Sequence, residues 1–171
     1  MHTLVLGGIR SGKTALAERL AGDTRNSVVY LATATAGDDE MRLRIQRHQQ
    51  QRPAQWGLEE ESLVLAPVLA RHALAQSPPC LLVDCMSLWL SNLLHAGEKA
   101  FAREREAFLN EVSRYPGELV IVSNEVGLGT IGMDPLTRRF ADELGWLNQS
   151  LAKVSDKVVM SVAGLPMVLK P

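Results

Sequence analysis

The residues best suited to chemistry stand together near the N-terminus. Gly7-Gly8-Ile9-Arg10-Ser11-Gly12-Lys13-Thr14 matches the pattern G-x-x-x-x-G-K-[ST]. Glycines there let backbone N–H groups turn inward around phosphate oxygens, and Lys13 brings a positive charge to the β- and γ-phosphates. The Thr14 hydroxyl is suited to ligate Mg²⁺, and a helix opening at Lys13 adds the positive end of its dipole. With glycine at about 7% of ordinary sequence, a chance match in a chain this long is roughly a one-percent event. The chemistry implied is the binding of a nucleoside triphosphate.

Three further groups of residues fit that chemistry. Asp84 closes the apolar run Leu81-Leu82-Val83, and an acid at the carboxyl end of a buried strand is where a second metal contact sits beside a phosphate loop. Ser123-Asn124-Glu125 end another such run, where ligands of open α/β sheets bind. Asn124 and Glu125 could orient a substrate or serve as a base there; they could equally bond the loop that follows. Arg42, Arg44, Arg47, His48 and Arg52 crowd one predicted helix, on which Met41, Ile45 and His48 share a face. By spacing alone His48 fits a packed core histidine. The arginines around it suit phosphate handling or a solvated basic face. His2, His72 and His95 have no comparable surroundings.

Something must hold these groups in one place, and the hydropathy pattern says what. Continuous apolar runs at 3–6, 28–32, 80–83, 119–122 and 157–162 read as strands buried on both faces. The stretches 13–21, 38–51, 87–95, 100–114 and 136–154 read as amphipathic helices between them. Strand and helix in alternation predict an α/β fold with a mostly parallel sheet and helices on both faces. Residues 167–169 suggest a last edge strand, and 52–79, punctuated by Pro53, Gly57, Pro67, Pro78 and Pro79, give no clear element.

Composition sets the limits. The chain has 171 residues, 46% hydrophobic and 22% charged, enough for one domain with a real core. Lys plus Arg number 18 against 19 Asp plus Glu, so no global basic field recruits nucleic acid or a membrane surface. No apolar stretch approaches the length of a membrane span. Cys80 and Cys85 are too few for a disulfide framework and lack metal-ligand spacing. These features lead to the expectation of a reduced, cytoplasmic protein.

Taken in order, further motifs mark a resemblance. The phosphate loop is followed by Tyr30-Leu31-Ala32-Thr33-Ala34, then Asp38-Asp39-Glu40-Met41 with Arg44-Ile45-x-x-His48, then Arg52-Pro53-x-x-Trp56. Leu82-Val83-Asp84-Cys85, Trp89-Leu90-x-Asn92, Ser123-Asn124-Glu125-Val126-Gly127-Leu128-Gly129 and Arg139-Phe140-x-Asp142-Glu143-Leu144-Gly145 complete the series. Across essentially its whole length the chain resembles the bifunctional adenosylcobinamide kinase/adenosylcobinamide-phosphate guanylyltransferases of cobalamin biosynthesis. Gly132 and Trp146 depart from that family's usual proline and basic residue.

The resemblance implies a P-loop NTPase fold with a RecA-like sheet, a homotrimer and two reactions. In the first, ATP or GTP phosphorylates the aminopropanol hydroxyl of adenosylcobinamide. In the second, GMP passes from GTP to adenosylcobinamide phosphate through a guanylyl-histidine. The family's histidine falls on His48, and its nucleotide contacts on Gly7 to Thr14, Thr33, Ala34, Thr35, Gln49, Gln50, Gln51, Arg52, Glu60 and Asp84. Two rivals differ in class: a P-loop small-molecule kinase that forms no nucleotide adduct, and an ATPase acting on nucleic acid, which the charge balance and the lack of interleaved basic and aromatic residues oppose.

Overall fold

The computed structural model describes residues 1–34, 53–129 and 132–171. Seven strands form one sheet: β1 (His2–Gly7), β2 (Val28–Ala32), β3 (Gly57–Glu60), β4 (Cys80–Asp84), β5 (Leu119–Asn124), β6 (Lys157–Val162) and β7 (Leu165–Lys170). Their spatial order is β3-β2-β4-β5-β1-β6-β7. All pairs are parallel except β6 with β7, an antiparallel hairpin closed by Ala163-Gly164. Both of those residues have positive φ, which suits the twist of a two-residue hairpin turn. The expected mostly parallel sheet is present, and its last strand is the edge strand read from the sequence.

Side chains alternate across the sheet and build two cores. Val5, Leu82, Val120 and Val122 face α1 (Lys13–Gly22), which seats Leu16, Ala17 and Ala21 against them. Leu4, Leu6, Leu81, Val83, Leu119 and Ile121 face the opposite layer. That layer holds α2 (Leu65–Ala73), α3 (Met86–Ala96), α4 (Glu98–Arg114) and α5 (Pro135–Val154). Helices therefore lie on both faces, as the strand–helix alternation requires. Trp89 and Phe108, both fully buried with ring centroids 4.9 Å apart, anchor α3 to α4. Burial of each large side chain contributes about 1.5–3 kcal/mol.

Residues 52–79, unreadable by pattern, supply β3 and α2. β3 is a short edge strand in which three of four residues are exposed, so it carries none of the apolar signal of a buried strand. The predicted helix 38–51 lies outside the described residues. Among the described residues no helix is long and apolar enough to cross a membrane.

Candidate nucleotide and acceptor site

β1 runs straight into the phosphate loop, and the loop is built by its backbone. Gly12 has φ +89°, and a Cβ on it would stand 3.1 Å from Gly164 Cα. A Cβ on Gly7 would meet Ser11 Oγ at 2.3 Å and the Ser161 carbonyl at 2.9 Å. A Cβ at Gly7 would therefore clash outright, and one at Gly12 would be crowded and held in a strained left-handed backbone. The Ser11 carbonyl accepts from Ser161 Oγ at 2.7 Å and from Gly164 N–H at 2.8 Å. The β6–β7 turn thus braces the loop from the far end of the chain. Lys13 donates to the Gly8 carbonyl at 3.1 Å. Gly12 precedes α1 without a side-chain cap, so the first-turn N–H groups are free to meet an anion. Ile9 and Arg10 sit exposed at the tip of the loop.

Because α1 crosses β5 and β4, its first turn meets the end of β4. Thr14 donates to Asp84 Oδ2 at 3.2 Å, and the buried Tyr30 hydroxyl donates to the same oxygen at 2.8 Å. Asp84 is thus a held, half-buried acid and not a freely solvated strand end. Two residues separate Thr33 from Tyr30, and Thr33 is fully buried. Its hydroxyl accepts from Cys85 N–H and donates to the Cys85 carbonyl, each at 2.8 Å. Asn92 Nδ2 bonds the Thr33 and Ser62 carbonyls at 3.1 Å each. Ala34 follows this clamp. Glu60 ends β3 opposite Ala32, exposed and two strands from Asp84.

Burial pushes the Cys85 thiol up, with the Asp84 charge adding to it. Burial likewise pushes Cys80 up to about 12. Neither thiol is a nucleophile near neutral pH.

β5 ends beside β1, with Asn124 in register with Gly7. Glu125 N–H donates to the Gly7 carbonyl at 3.1 Å, while its carboxylate accepts from Gly127 N–H at 3.3 Å. That carboxylate serves its own loop. Asn124 instead turns its amide toward α3: Nδ2 donates to Ser87 Oγ at 2.7 Å. Asn148 of α5 completes the junction, donating to the Asn124 carbonyl at 3.0 Å and accepting from Ser123 Oγ at 2.6 Å. Between α3 and α5, with Asn124 at one side, lies a cavity of about 370 Å³.

Compared with known proteins, residues 3–169 match the family model described as cobinamide kinase / cobinamide phosphate guanyltransferase. The chain belongs to this family. It is 49% identical over 171 residues to the bifunctional adenosylcobalamin biosynthesis protein CobP of Pseudomonas aeruginosa, covering 99% of this chain and 98% of that one. To the bifunctional adenosylcobalamin biosynthesis protein CobU of Escherichia coli K12 it is 35% identical, over 99% and 100% of the two chains. Among solved structures it resembles the assembled type III secretion ATPase EscN of enteropathogenic E. coli, with a TM-score of 0.58 and 10% identity over 95% of this chain and 43% of that one. That likeness concerns the fold alone.

Within this cobinamide kinase/guanyltransferase chain, the structure brings together the loop Gly7 to Thr14, Asp84, Thr33 and Asn124 at one end of the sheet. His48, Thr35, Gln49, Gln50, Gln51 and Arg52 lie outside the described residues. The sequence reading missed Tyr30 as a partner of Asp84, Ser161 and Gly164 as braces of the loop, and Asn92 and Asn148 as clamps. Asn92 and Asn148 carried a faint signal, being amides on otherwise apolar helix faces.

Proposed function

We propose that this chain is a bifunctional enzyme, an ATP- or GTP-dependent adenosylcobinamide kinase and an adenosylcobinamide-phosphate guanylyltransferase, working as one domain over residues 1–171. The observation that carries this reading is the convergence of the phosphate loop and Asp84 within a chain matched to the family over residues 3–169. Lys13 and the loop amides hold the triphosphate, and the family's further nucleotide contacts fall on Thr33, Ala34, Thr35 and Glu60. The Thr14 hydroxyl and Asp84 carboxylate, 3.2 Å apart, form an oxygen donor pair that fits Mg²⁺. Mg²⁺ bound there would neutralise charge on the phosphates. Tyr30 fixes Asp84 Oδ2, and Asn124 and Glu125 stand on the acceptor side.

In the kinase step the aminopropanol oxygen attacks the γ-phosphorus and gives up its proton to solvent, and the P–O bond to the β-phosphate breaks with ADP or GDP leaving with its electron pair. In the transferase step a ring nitrogen of His48 attacks the α-phosphorus of GTP. A P–N bond forms and pyrophosphate departs with the electron pair of the broken P–O bond. Gln49, Gln50, Gln51 and Arg52 follow this histidine in the sequence, and the positive charge of Arg44, Arg47 and Arg52 suits a departing pyrophosphate. A phosphate oxygen of adenosylcobinamide phosphate then attacks the same phosphorus, the P–N bond breaks, and adenosylcobinamide-GDP is released. Splitting one displacement into two is what a nucleophilic side chain contributes.

The family resemblance supports a homotrimer, for which the exposed Leu165, Met167, Val168 and Leu169 of β7 offer apolar surface. Two free, buried cysteines fit a reducing compartment, the cytoplasm. The test is incubation with adenosylcobinamide, Mg²⁺ and α-labelled GTP. The reading expects adenosylcobinamide phosphate and then adenosylcobinamide-GDP carrying the label. Phosphorylation with no transfer of label would leave a kinase only, and no turnover of either kind would overturn both assignments.

A further inference from the structure

The cavity between α3 and α5 is not needed to hold the phosphates, and its lining is specific. Residues 87, 88, 91, 94 and 95 of α3 present one face to it, and residues 136, 137 and 140 of α5 the other. Leu94, Leu136 and Phe140 give apolar walls. The polar groups are mostly acceptors or hydroxyls. Asn124 Oδ1 is buried without a hydrogen-bond partner among the described residues, its Nδ2 being held by Ser87. His95 donates from Nδ1 to the Ser91 carbonyl at 2.7 Å, which in the neutral ring leaves Nε2 an acceptor. The buried Asn124 Oδ1 calls for a donor.

Location narrows the ligand further. Asn124 is in register with Gly7, so this side of the cavity stands one strand spacing, about 4.8 Å, from the first residue of the phosphate loop. At about 370 Å³ the cavity lies at the small end of the roughly 300–1,000 Å³ of drug-sized sites. It takes an arm of a large ligand and not a macrocycle. The arm must carry an N–H donor, hydrocarbon and an end that reaches the γ-phosphate.

We propose that this cavity seats the amide-linked aminopropanol arm of the corrinoid acceptor. Asn124 Oδ1 takes the arm's amide N–H, and Leu94, Leu136 and Phe140 pack its methyl and methylene groups. The hydroxyl is left facing the phosphate loop. This rests on the kinase reading above and adds the acceptor site, with Ser91, Leu94 and Phe140 as specificity residues.

The test compares wild type with Ser91→Leu, which fills the cavity from a partly exposed position, and Asn124→Ala, which removes the acceptor. With Mg²⁺-ATP saturating, the KM for adenosylcobinamide should rise at least tenfold in Ser91→Leu and about fivefold in Asn124→Ala. The KM for ATP should stay within twofold. Binding of a corrinoid lacking the aminopropanol amide should be the same in all three proteins. Hydrogen exchange on the wild type gives an arm independent of variant folding: adenosylcobinamide should slow exchange in 87–95 and 136–140, and the armless corrinoid should not. An unchanged corrinoid KM, a rise in the ATP KM instead, or no protection of either helix would overturn the acceptor site while the kinase reading stands. A wild-type protein that binds ATP yet never phosphorylates adenosylcobinamide would overturn the kinase reading and the site with it.

Discussion

β1 and β5 are neighbouring parallel strands that end at the same level, Gly7 beside Asn124, yet they make their sites by opposite means. At the end of β1 the proposed phosphate cradle is made of main chain. Gly7 leaves no room for a Cβ, Gly12 takes a left-handed backbone that disfavours one, and the Ser11 carbonyl is pinned from the β6–β7 turn. At the end of β5 the proposed acceptor site is framed by side chains, with Ser123, Asn124 and Asn148 linking a strand to two helices. A phosphate presents the same oxygens in every nucleotide, so a backbone cradle serves it. An acceptor differs from enzyme to enzyme, and side chains can change without disturbing the cradle beside them.

That contrast can be broken at either end. The largest effect is expected for Lys13→Ala, which removes charge from the triphosphate while leaving the backbone loop in place. Nucleotide-dependent turnover should fall by orders of magnitude, since positioning and charge supply most of phosphoryl-transfer catalysis. Circular dichroism should match wild type; near-normal turnover would break the contrast at β1. Asp84→Asn keeps shape and loses charge at the oxygen that Thr14 and Tyr30 address. A titration of activity with Mg²⁺ should move to higher concentration, and an unmoved curve would leave Asp84 a structural acid only.

At the β5 end, Asn148→Ala strips the buried Ser123 hydroxyl of its acceptor and the Asn124 carbonyl of a donor. Chemical denaturation should show a loss of about 1–3 kcal/mol, while nucleotide affinity at the backbone cradle stays unchanged. A loss of nucleotide binding in a folded Asn148→Ala protein would mean the two ends are one unit.

The smallest effect concerns the start of α5, which forms one wall of the cavity. Asp134 caps it, and the hydrogen bonds from the Thr137 hydroxyl and then its N–H hold the Asp134 carboxyl below its usual range. The cap is therefore fully present above the unfolded carboxylate pKa of about 3.9 and is lost as pH falls through the lower folded value. Thermal melts between pH 6 and pH 3 should show a slightly steeper acid loss for wild type than for Asp134→Asn; parallel curves would deny the cap this role.

The same contrast explains what could be read from the sequence. The phosphate loop was legible because its geometry is encoded in contiguous residues, with Gly7, Gly12, Lys13 and Thr14 at fixed spacing after an apolar run. The buried strands were legible because a parallel strand covered on both faces is apolar throughout, as Cys80 to Val83 shows. β3 was not, because an edge strand reading Gly-Leu-Glu-Glu has no such need. Partners distant in sequence stayed hidden. Tyr30 meets Asp84 across 54 residues and Ser161 meets Ser11 across 150, pairings set by strand order alone. Asn124 was legible as a strand end facing the crevice, but its turn toward Ser87 depended on where α3 lies.

The central claim is that one chain runs two phosphorus chemistries, only one of which needs a histidine. The measurement is peptide mapping after incubation of wild type and His48→Ala with α-labelled GTP and Mg²⁺, with adenosylcobinamide phosphorylation assayed on the same samples. GMP is expected on His48 in wild type, as an acid-labile, alkali-resistant P–N adduct. No adduct is expected in His48→Ala, in which the kinase activity persists because γ-phosphoryl transfer needs Lys13 and not the imidazole. GMP found on a lysine or on His2, His72 or His95, or an adduct that survives in His48→Ala, would contradict that claim.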